Sequence, residues 1–241
     1  MTRIYIPEPL SGAQIIDLPA SAAQHLVQVL RLRAGDAFVC FDGRGGEYPA
    51  TLVEVSKRSA RAELGARVQI SRESPLDLRL AQCVSKGERM DFTLQKAVEL
   101  GVTRITPILS ARAVVKLDED RWSKKLEHWQ GVIISACQQS GRTRIPTLVA
   151  PVKLDAWLTQ QDFGLGVLLD PAAHTSLATL PAPGGAVTLL IGPEGGLADD
   201  EIARAQTAGM IGVRMGPRIL RTETAGLAAL AALQARLGDW Q

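Results

Sequence analysis

The sequence predicts an α/β protein, a mostly parallel sheet covered by helices, preceded by a small β-rich domain. Three observations carry this. From Leu76 onward, apolar runs of strand length alternate with helical segments, the pattern of parallel strands packed on both faces. Before that point, short alternating runs are broken by glycine, proline and aspartate, as in a small barrel or sheet. Between the two, Ile70-Ser71-Arg72-Glu73-Ser74-Pro75 is polar and ends in proline, which sets the domains at 1–72 and 75–241.

Arg3-Ile4-Tyr5-Ile6 is a short strand stopped by Pro7 and Pro9. Ser21 suits the cap of a helix from Ala22 to Leu30, with His25/Val29 and Leu26/Leu30 at i,i+4 spacing. Gly35-Asp36 is a turn, Ala37 to Phe41 a strand, and Asp42 to Gly46 a hairpin-type loop. Tyr48 to Val55 and Ala60 to Leu64 alternate as further strands. In the second part, Leu78 to Val84, Arg104 to Leu109, Leu165 to Leu169, Val187 to Ile191 and Gly212 to Met215 are strands. The intervening helices are Glu88 to Leu100, closed by Gly101, Trp122 to Gln139, and Asp199 to Ala208. An Ala/Leu-rich helix from Thr222 to Leu237 closes the chain; Leu227, Leu230 and Leu233 make it apolar enough to need burial.

Composition narrows the class. The 241 residues, 46% hydrophobic and 22% charged, suffice for a sizeable core. No apolar run approaches the roughly 20 residues of a membrane span. The N-terminal residues lack a secretory pattern, so a cytoplasmic protein is expected. Cys40, Cys83 and Cys137 lie far apart in apolar contexts, and His25, His128 and His174 lack ligand spacing, so neither a disulfide framework nor a metal is expected. The net charge of +2 does not by itself mark a nucleic-acid binder; the placement of the basic residues matters more.

The stretch from Val187 to Leu237 holds two strand–loop–helix corners, Gly192-Pro193-Glu194-Gly195-Gly196-Leu197 and Met215-Gly216-Pro217-Arg218-Ile219-Leu220-Arg221. Open α/β sheets hold ligands outside the carboxyl ends of their strands, where these corners fall. Gly195 and Gly196 suit positive φ and leave the backbone open to a ligand. If the strands are parallel, Lys86, Arg112, Asp170, Glu194, Arg218 and Arg221 crowd one rim, although Lys86 and Arg112 singly read as solvated loop charges. The first corner is neither a dinucleotide fingerprint nor a phosphate loop, and no serine sits in a nucleophile elbow. What remains is a backbone-rich cleft in which Ile191, Leu197, Met215, Ile219 and Leu220 wall a flat ring. Arg218 and Arg221 at its edge suit phosphate or a base edge, and the plain alternative for Arg221 is a salt bridge to Glu223 or Glu201.

The paired motifs Gly192-Pro-Glu-Gly-Gly-Leu197 and Met215-Gly-Pro-Arg-Ile-Leu-Arg-Thr-Glu-Thr-Ala225 resemble the signature of the RsmE family, bacterial 16S rRNA uridine-N3 methyltransferases of the SPOUT superfamily. The resemblance extends to His25-Leu-Val-Gln-Val-Leu-Arg-Leu-Arg33, Lys96-Ala-Val-Glu-Leu-Gly-Val102 and Gln139-Ser-Gly-Arg142. It departs at Gln138, where many relatives are expected to carry glutamate. It implies a PUA-like RNA-binding domain, a methyltransferase domain with a trefoil knot, a homodimer, and 16S rRNA of the small ribosomal subunit as partner.

It also implies S-adenosylmethionine as cofactor, with Leu169, Pro171, Ile191, Gly192, Glu194, Gly195, Gly196, Met215, Gly216, Ile219 and Leu220 as its candidate contacts. Arg3, Arg31, Arg33, Lys86, Arg112 and Arg142 are the candidate RNA contacts. Arginine does not deprotonate in proteins, so Arg218 or Arg221 is the candidate to stabilise a uridine anion, and Glu223 or Glu194 to accept its proton. Glu194 reads equally as a residue that shapes its loop. Methylation of a ribose 2′-hydroxyl or another base, or RNA binding without catalysis, are the competing readings.

Overall fold

The computed structural model describes residues 1–56, 59–112, 119–160 and 162–240. The chain divides into two units, Met1–Glu73 with Cys137–Ile145, and Ser74–Ala136 with Pro146–Gln241.

In the first unit, β1 (Arg3–Tyr5), β2 (Ile15–Asp17), β3 (Ala37–Phe41), β4 (Tyr48–Val55) and β5 (Ala60–Leu64) form one sheet in the order β1-β3-β4-β5-β2. Among the described residues only the β1–β3 pairing of this sheet is parallel. Alternation decides which face is inside: β5 buries Ala60, Ala62 and Leu64 while Glu63 points to solvent. These side chains join Ile4, Leu26, Phe38 and Leu52 in a shared core.

The expected helix from Ala22 to Leu30 takes a different form. α1 (Ala20–Gln24) starts after Pro19 with no side-chain cap, so Ser21 lies inside the first turn instead of capping it. A π-helical turn, His25–Val29, follows, with Leu30 N–H donating to the His25 carbonyl at 3.0 Å. The wider turn breaks the i,i+4 pairing: Leu26 is fully buried, whereas Leu30 is 39% exposed.

Residues Cys137–Ile145 belong to this first unit, although the sequence reading kept them in the second. Through-space bonds explain the grouping. Tyr5 N–H donates to Gln138 Oε1 at 3.0 Å, and Gly45 N–H to the Thr143 carbonyl at 3.0 Å. Arg142, only 3% exposed, pairs with Glu73 at 2.7 Å. The amide oxygen of Gln138 serves as acceptor here, so this contact needs no carboxylate.

The second unit holds β6 (Leu78–Cys83), α2 (Glu88–Glu99), β7 (Arg104–Leu109), α3 (Glu119–Ser140, its last residues grouped with the first unit), β8 (Thr147–Leu148), β9 (Val152–Lys153) and α4 (Leu154–Gln160). It continues with β10 (Leu165–Leu169), β11 (Thr175–Ser176), β12 (Val187–Ile191), α5 (Asp199–Thr207), β13 (Ile211–Arg214) and α6 (Thr222–Leu237). Its strands form one sheet in the order β11-β13-β10-β12-β6-β7-β8, with β9 also on β7, and every pairing is parallel. All five residues of β12 are buried, as expected for a strand packed on both faces.

α6 packs on β6, β12 and α2. Gly226 lets its backbone approach closely: a Cβ there would stand 3.2 Å from Ile191 Cγ1. Leu230 and Leu233 are fully buried within the chain, and Leu227 is half-buried. The elements absent from the sequence reading, β2, β8, β9, β11 and α4, are too short for periodicity to mark them. Among the described residues no helix is long and apolar enough to cross a membrane.

Glu47 gives the first unit a testable acid response. It pairs with Arg3 and, at 3.2 Å, with Arg72. Burial alone would push its carboxyl up, but the hydrogen bonds and charges of Arg3 and Arg72 outweigh burial and hold it below its ordinary value of 4.5. A carboxylate depressed in the folded state adds stability that is present above its unfolded value and lost as pH falls through the folded one. The melting temperature should therefore fall as the pH drops below about 4.5, and fall less steeply in Glu47→Gln. Parallel pH curves for the two proteins would remove Glu47 from the account.

Candidate functional site

Because the strands run parallel, the loops after β10, β12 and β13 leave the sheet at the same edge. They enclose a cavity of about 570 Å³, within the usual range for a small-ligand pocket. Its walls include Leu169, Ile191, Leu197, Val213, Met215 and Leu220, and Asp170, Pro171 and Ala172 close one side.

The loop after β12 turns through Gly196, whose φ is +69° and whose N–H donates to the Pro193 carbonyl at 2.9 Å. The loop after β13 turns through Gly216, with φ +81°. A Cβ at either would meet nothing within 4 Å, so backbone conformation is what these positions ask of glycine. Gly195 differs from expectation: its φ is not positive and it does not line the cavity. A Cβ there would sit 3.7 Å from the Arg112 side chain, an ordinary contact, because the turn needs a left-handed residue only at Gly196.

The two corners are tied by one hydroxyl. Thr222 Oγ1 donates to the Gly192 carbonyl at 2.6 Å and accepts from Gln82 Nε2 at 2.9 Å. Thr222 is the first residue of α6 and not its cap; Arg221 holds the cap position, without a side-chain cap bond. The Arg221 side chain is exposed at the cavity and makes no salt bridge to Glu223 or Glu201 among the described residues. Glu201 is buried and occupied elsewhere, accepting from Ala111 N–H at 2.7 Å and Ala198 N–H at 2.9 Å.

Charges line the rim. Glu194 Oε1 accepts from the Lys86 N–H at 3.3 Å and from Arg89 Nη1 at 3.1 Å. Arg89 Nε stands 4.0 Å from Glu223 Oε1. Arg112 donates to the Gly195 carbonyl at 2.9 Å and braces the first loop from outside.

The cofactor candidates other than Gly195 all line the cavity, as do Arg218, Arg221 and Glu223. Ile219 lies at its lip, 82% exposed. The RNA candidates are scattered. Lys86 and Arg112 flank the first loop without lining the cavity, and Arg31 and Arg33 are exposed in the first unit. Arg3 and Arg142 turn inward: Arg3 pairs with Glu47 and lies 4.9 Å over the Phe41 ring, and Arg142 is held by Glu73.

Arg89 and Gln82 were missed. For Arg89 a signal existed, since a cation in the first turn of a helix opposes the helix dipole and so needs a partner. Nothing local distinguishes Gln82 from any other strand residue. Among the described residues no group of three or more His, Cys, Asp or Glu is placed to hold a metal ion.

The RNA methyltransferase domain family matches residues 72–234, and the RNA methyltransferase PUA domain family matches residues 18–65. Ribosomal RNA small subunit methyltransferase E from Buchnera aphidicola is 32% identical over 99% of this chain and 95% of its own length. Ribosomal RNA small subunit methyltransferase E from Neisseria gonorrhoeae, solved bound to S-adenosyl methionine, superposes with a TM-score of 0.94 at 41% identity, covering 100% of both chains. A methyltransferase structure from Legionella pneumophila in complex with the bound cofactor SAM superposes with a TM-score of 0.96 at 40% identity, over 99% of this chain and 98% of that one.

The hydroxyl tie can be tested by Thr222→Val, which keeps the branched shape but strands the Gly192 carbonyl and the Gln82 amide. Leaving buried polar groups without partners should cost roughly 1–3 kcal/mol. The expected result is a lower melting temperature together with weaker S-adenosylmethionine binding by calorimetry. A variant that melts and binds like the parent would show that the corners do not depend on this bond.

Proposed function

The chain belongs to the ribosomal RNA small subunit methyltransferase E family, and from that premise we propose that it methylates N3 of a uridine in 16S rRNA of the small ribosomal subunit, with S-adenosylmethionine as donor. One observation carries the reading: an apolar cavity, open to backbone at two glycine corners, with arginines and carboxylates at its rim. The residues fit the donor. Leu169, Ile191, Met215 and Leu220 suit the faces of a purine, and the loops around Gly192, Gly196 and Gly216 bring backbone amides and carbonyls close without side chains between. When bound, the donor supplies an electrophilic methyl group on a sulfonium.

The protein's task is alignment and charge. Holding acceptor and donor in line can supply several kcal/mol, about 7–11 at best. A neutral imide nitrogen is a poor nucleophile, so the N3 proton must leave and the anion must be stabilised. Arg221 or Arg218 meets the charge that spreads onto the uracil oxygens, and Glu223 or Glu194 takes the proton. Arg31 and Arg33 of the first unit, with Lys86 and Arg112 beside the first loop, supply the exposed cations toward RNA phosphate. Residues 1–72 are on this reading the RNA-binding part and 75–241 the methyltransferase part. A cytoplasmic homodimer with a trefoil-knotted second domain completes the proposal. The entry of β12 between β6 and β10 supports the knot, and the half-buried Leu227, Ala228, Ala231 and Ala232 on α6 support the dimer.

Small ribosomal subunits lacking the modification, incubated with the protein and labelled S-adenosylmethionine and then digested, should yield N3-methyluridine at one site. Label on a ribose hydroxyl or on another base would overturn the assignment. Arg221→Ala should lose about 10²–10³ in kcat with donor affinity nearly intact, the usual cost of removing one preorganised donor to a developing charge. A loss confined to KM would make Arg221 an RNA grip. Full kcat in a folded variant would end its catalytic assignment.

A further inference from the structure

Three carboxylates line the cavity, Asp170, Glu194 and Glu223, and the proposed chemistry needs one proton acceptor. The structure distinguishes them by what each is already bonded to. Asp170 Oδ1 accepts from the Ala172 N–H at 2.9 Å and shapes its own turn. Glu194 Oε1 is used twice, by the Lys86 N–H at 3.3 Å and by Arg89 Nη1 at 3.1 Å, and both bonds fasten the first loop to the start of α2. Glu223, on the first turn of α6, is different. Its side chain is 16% exposed, Arg89 Nε lies 4.0 Å from Oε1, and Oε2 is buried with no hydrogen-bond partner among the described residues. A buried polar atom without a partner lowers stability, so its presence here calls for an explanation.

Resting on the uridine-N3 reading above, we propose that Glu223 is the proton acceptor and that Arg89 is its positioning residue, committing Glu194 to the loop while holding Glu223 beside the cavity. Glu223 lines the cavity on the same helix start as Arg221, so its carboxylate stands beside the space a substrate base would enter. Arg89 then serves two ends. Its Nη1 keeps the first loop in place through Glu194, and its Nε stands 4.0 Å from Glu223 Oε1.

The step balances. The uridine N3–H bond gives its proton to the Glu223 carboxylate and leaves its electron pair on nitrogen. That pair forms the N3–CH₃ bond as the methyl–sulfur bond breaks, its own pair staying on sulfur. The carboxylic acid then returns its proton to water.

Glu223→Gln keeps size and hydrogen bonding but cannot accept a proton. It should lose about 10²–10⁴ in single-turnover rate, the usual contribution of a general base. Its affinity for S-adenosylmethionine by calorimetry and its melting temperature should stay near those of the parent. The lost rate should return as pH rises, because hydroxide in solution then removes the N3 proton. Glu194→Gln should show no such return. Arg89→Met should lower the rate, with Arg89→Lys restoring part of it.

Wild-type protein that forms no N3-methyluridine would refute the uridine-N3 reading itself, whatever the variants do. Wild-type protein that forms it, with Glu223→Gln retaining its rate or losing it equally at every pH, would overturn the proton-acceptor assignment alone. Arg89→Met folding and turning over like the parent would overturn the positioning role.

Discussion

The hydroxyl of Thr222 uses both its donor and its acceptor capacity in one buried place, giving a hydrogen bond to the Gly192 carbonyl and taking one from the Gln82 amide. Three segments far apart in the chain are fixed by it: the end of β6, the loop after β12 and the first turn of α6. Arg221 stands just outside that point and Glu223 just inside it. Their positions at the cavity follow from where the helix begins. A cap side chain at Thr222 would have satisfied α6 alone; using the hydroxyl across the sheet edge joins the two corners instead.

That arrangement presupposes a parallel sheet. Strands such as β12, buried on both faces, are apolar but for Thr188, whose hydroxyl donates to the Phe163 carbonyl, and the polar chemistry gathers at their ends. The rim carries its charges in bonded sets. Glu194 takes the Lys86 backbone N–H and the Arg89 guanidinium, Glu201 takes two backbone N–H groups, and Arg112 braces the Gly195 carbonyl. Arg214, Arg218 and Arg221 are the exposed arginines at the cavity that join no such set among the described residues. This is the distribution expected of a site that must stay shaped while receiving an anion.

Much of this was legible in the sequence because its signals are local. Apolar runs such as Val187 to Ile191, the glycine–proline corners and the Ala/Leu helix each announce themselves within a few residues. The features that escaped depend on partners distant in sequence. Arg3 and Arg142 look like surface cations until Glu47 and Glu73 are found against them. Cys137–Ile145 continues a helix of the second unit, yet its hydrogen bonds go to the first. Gln82 has no local mark at all, and the π-helical turn at His25–Val29 shifted side chains that simple helical spacing had paired. Gly195 and Gly196 look equivalent as letters, but the turn demands a left-handed residue at only one of them.

The central claim is that the two corners joined by Thr222 form the methyl-donor site. A crystal structure of this protein with S-adenosylmethionine tests it most directly. The account places the donor between Leu169, Ile191, Met215 and Leu220, with its methyl group turned toward the rim that carries Arg221 and Glu223, and with the Thr222–Gly192 bond intact. Donor density elsewhere on the chain, or a bound state in which that bond is broken and the corners have parted, would contradict it.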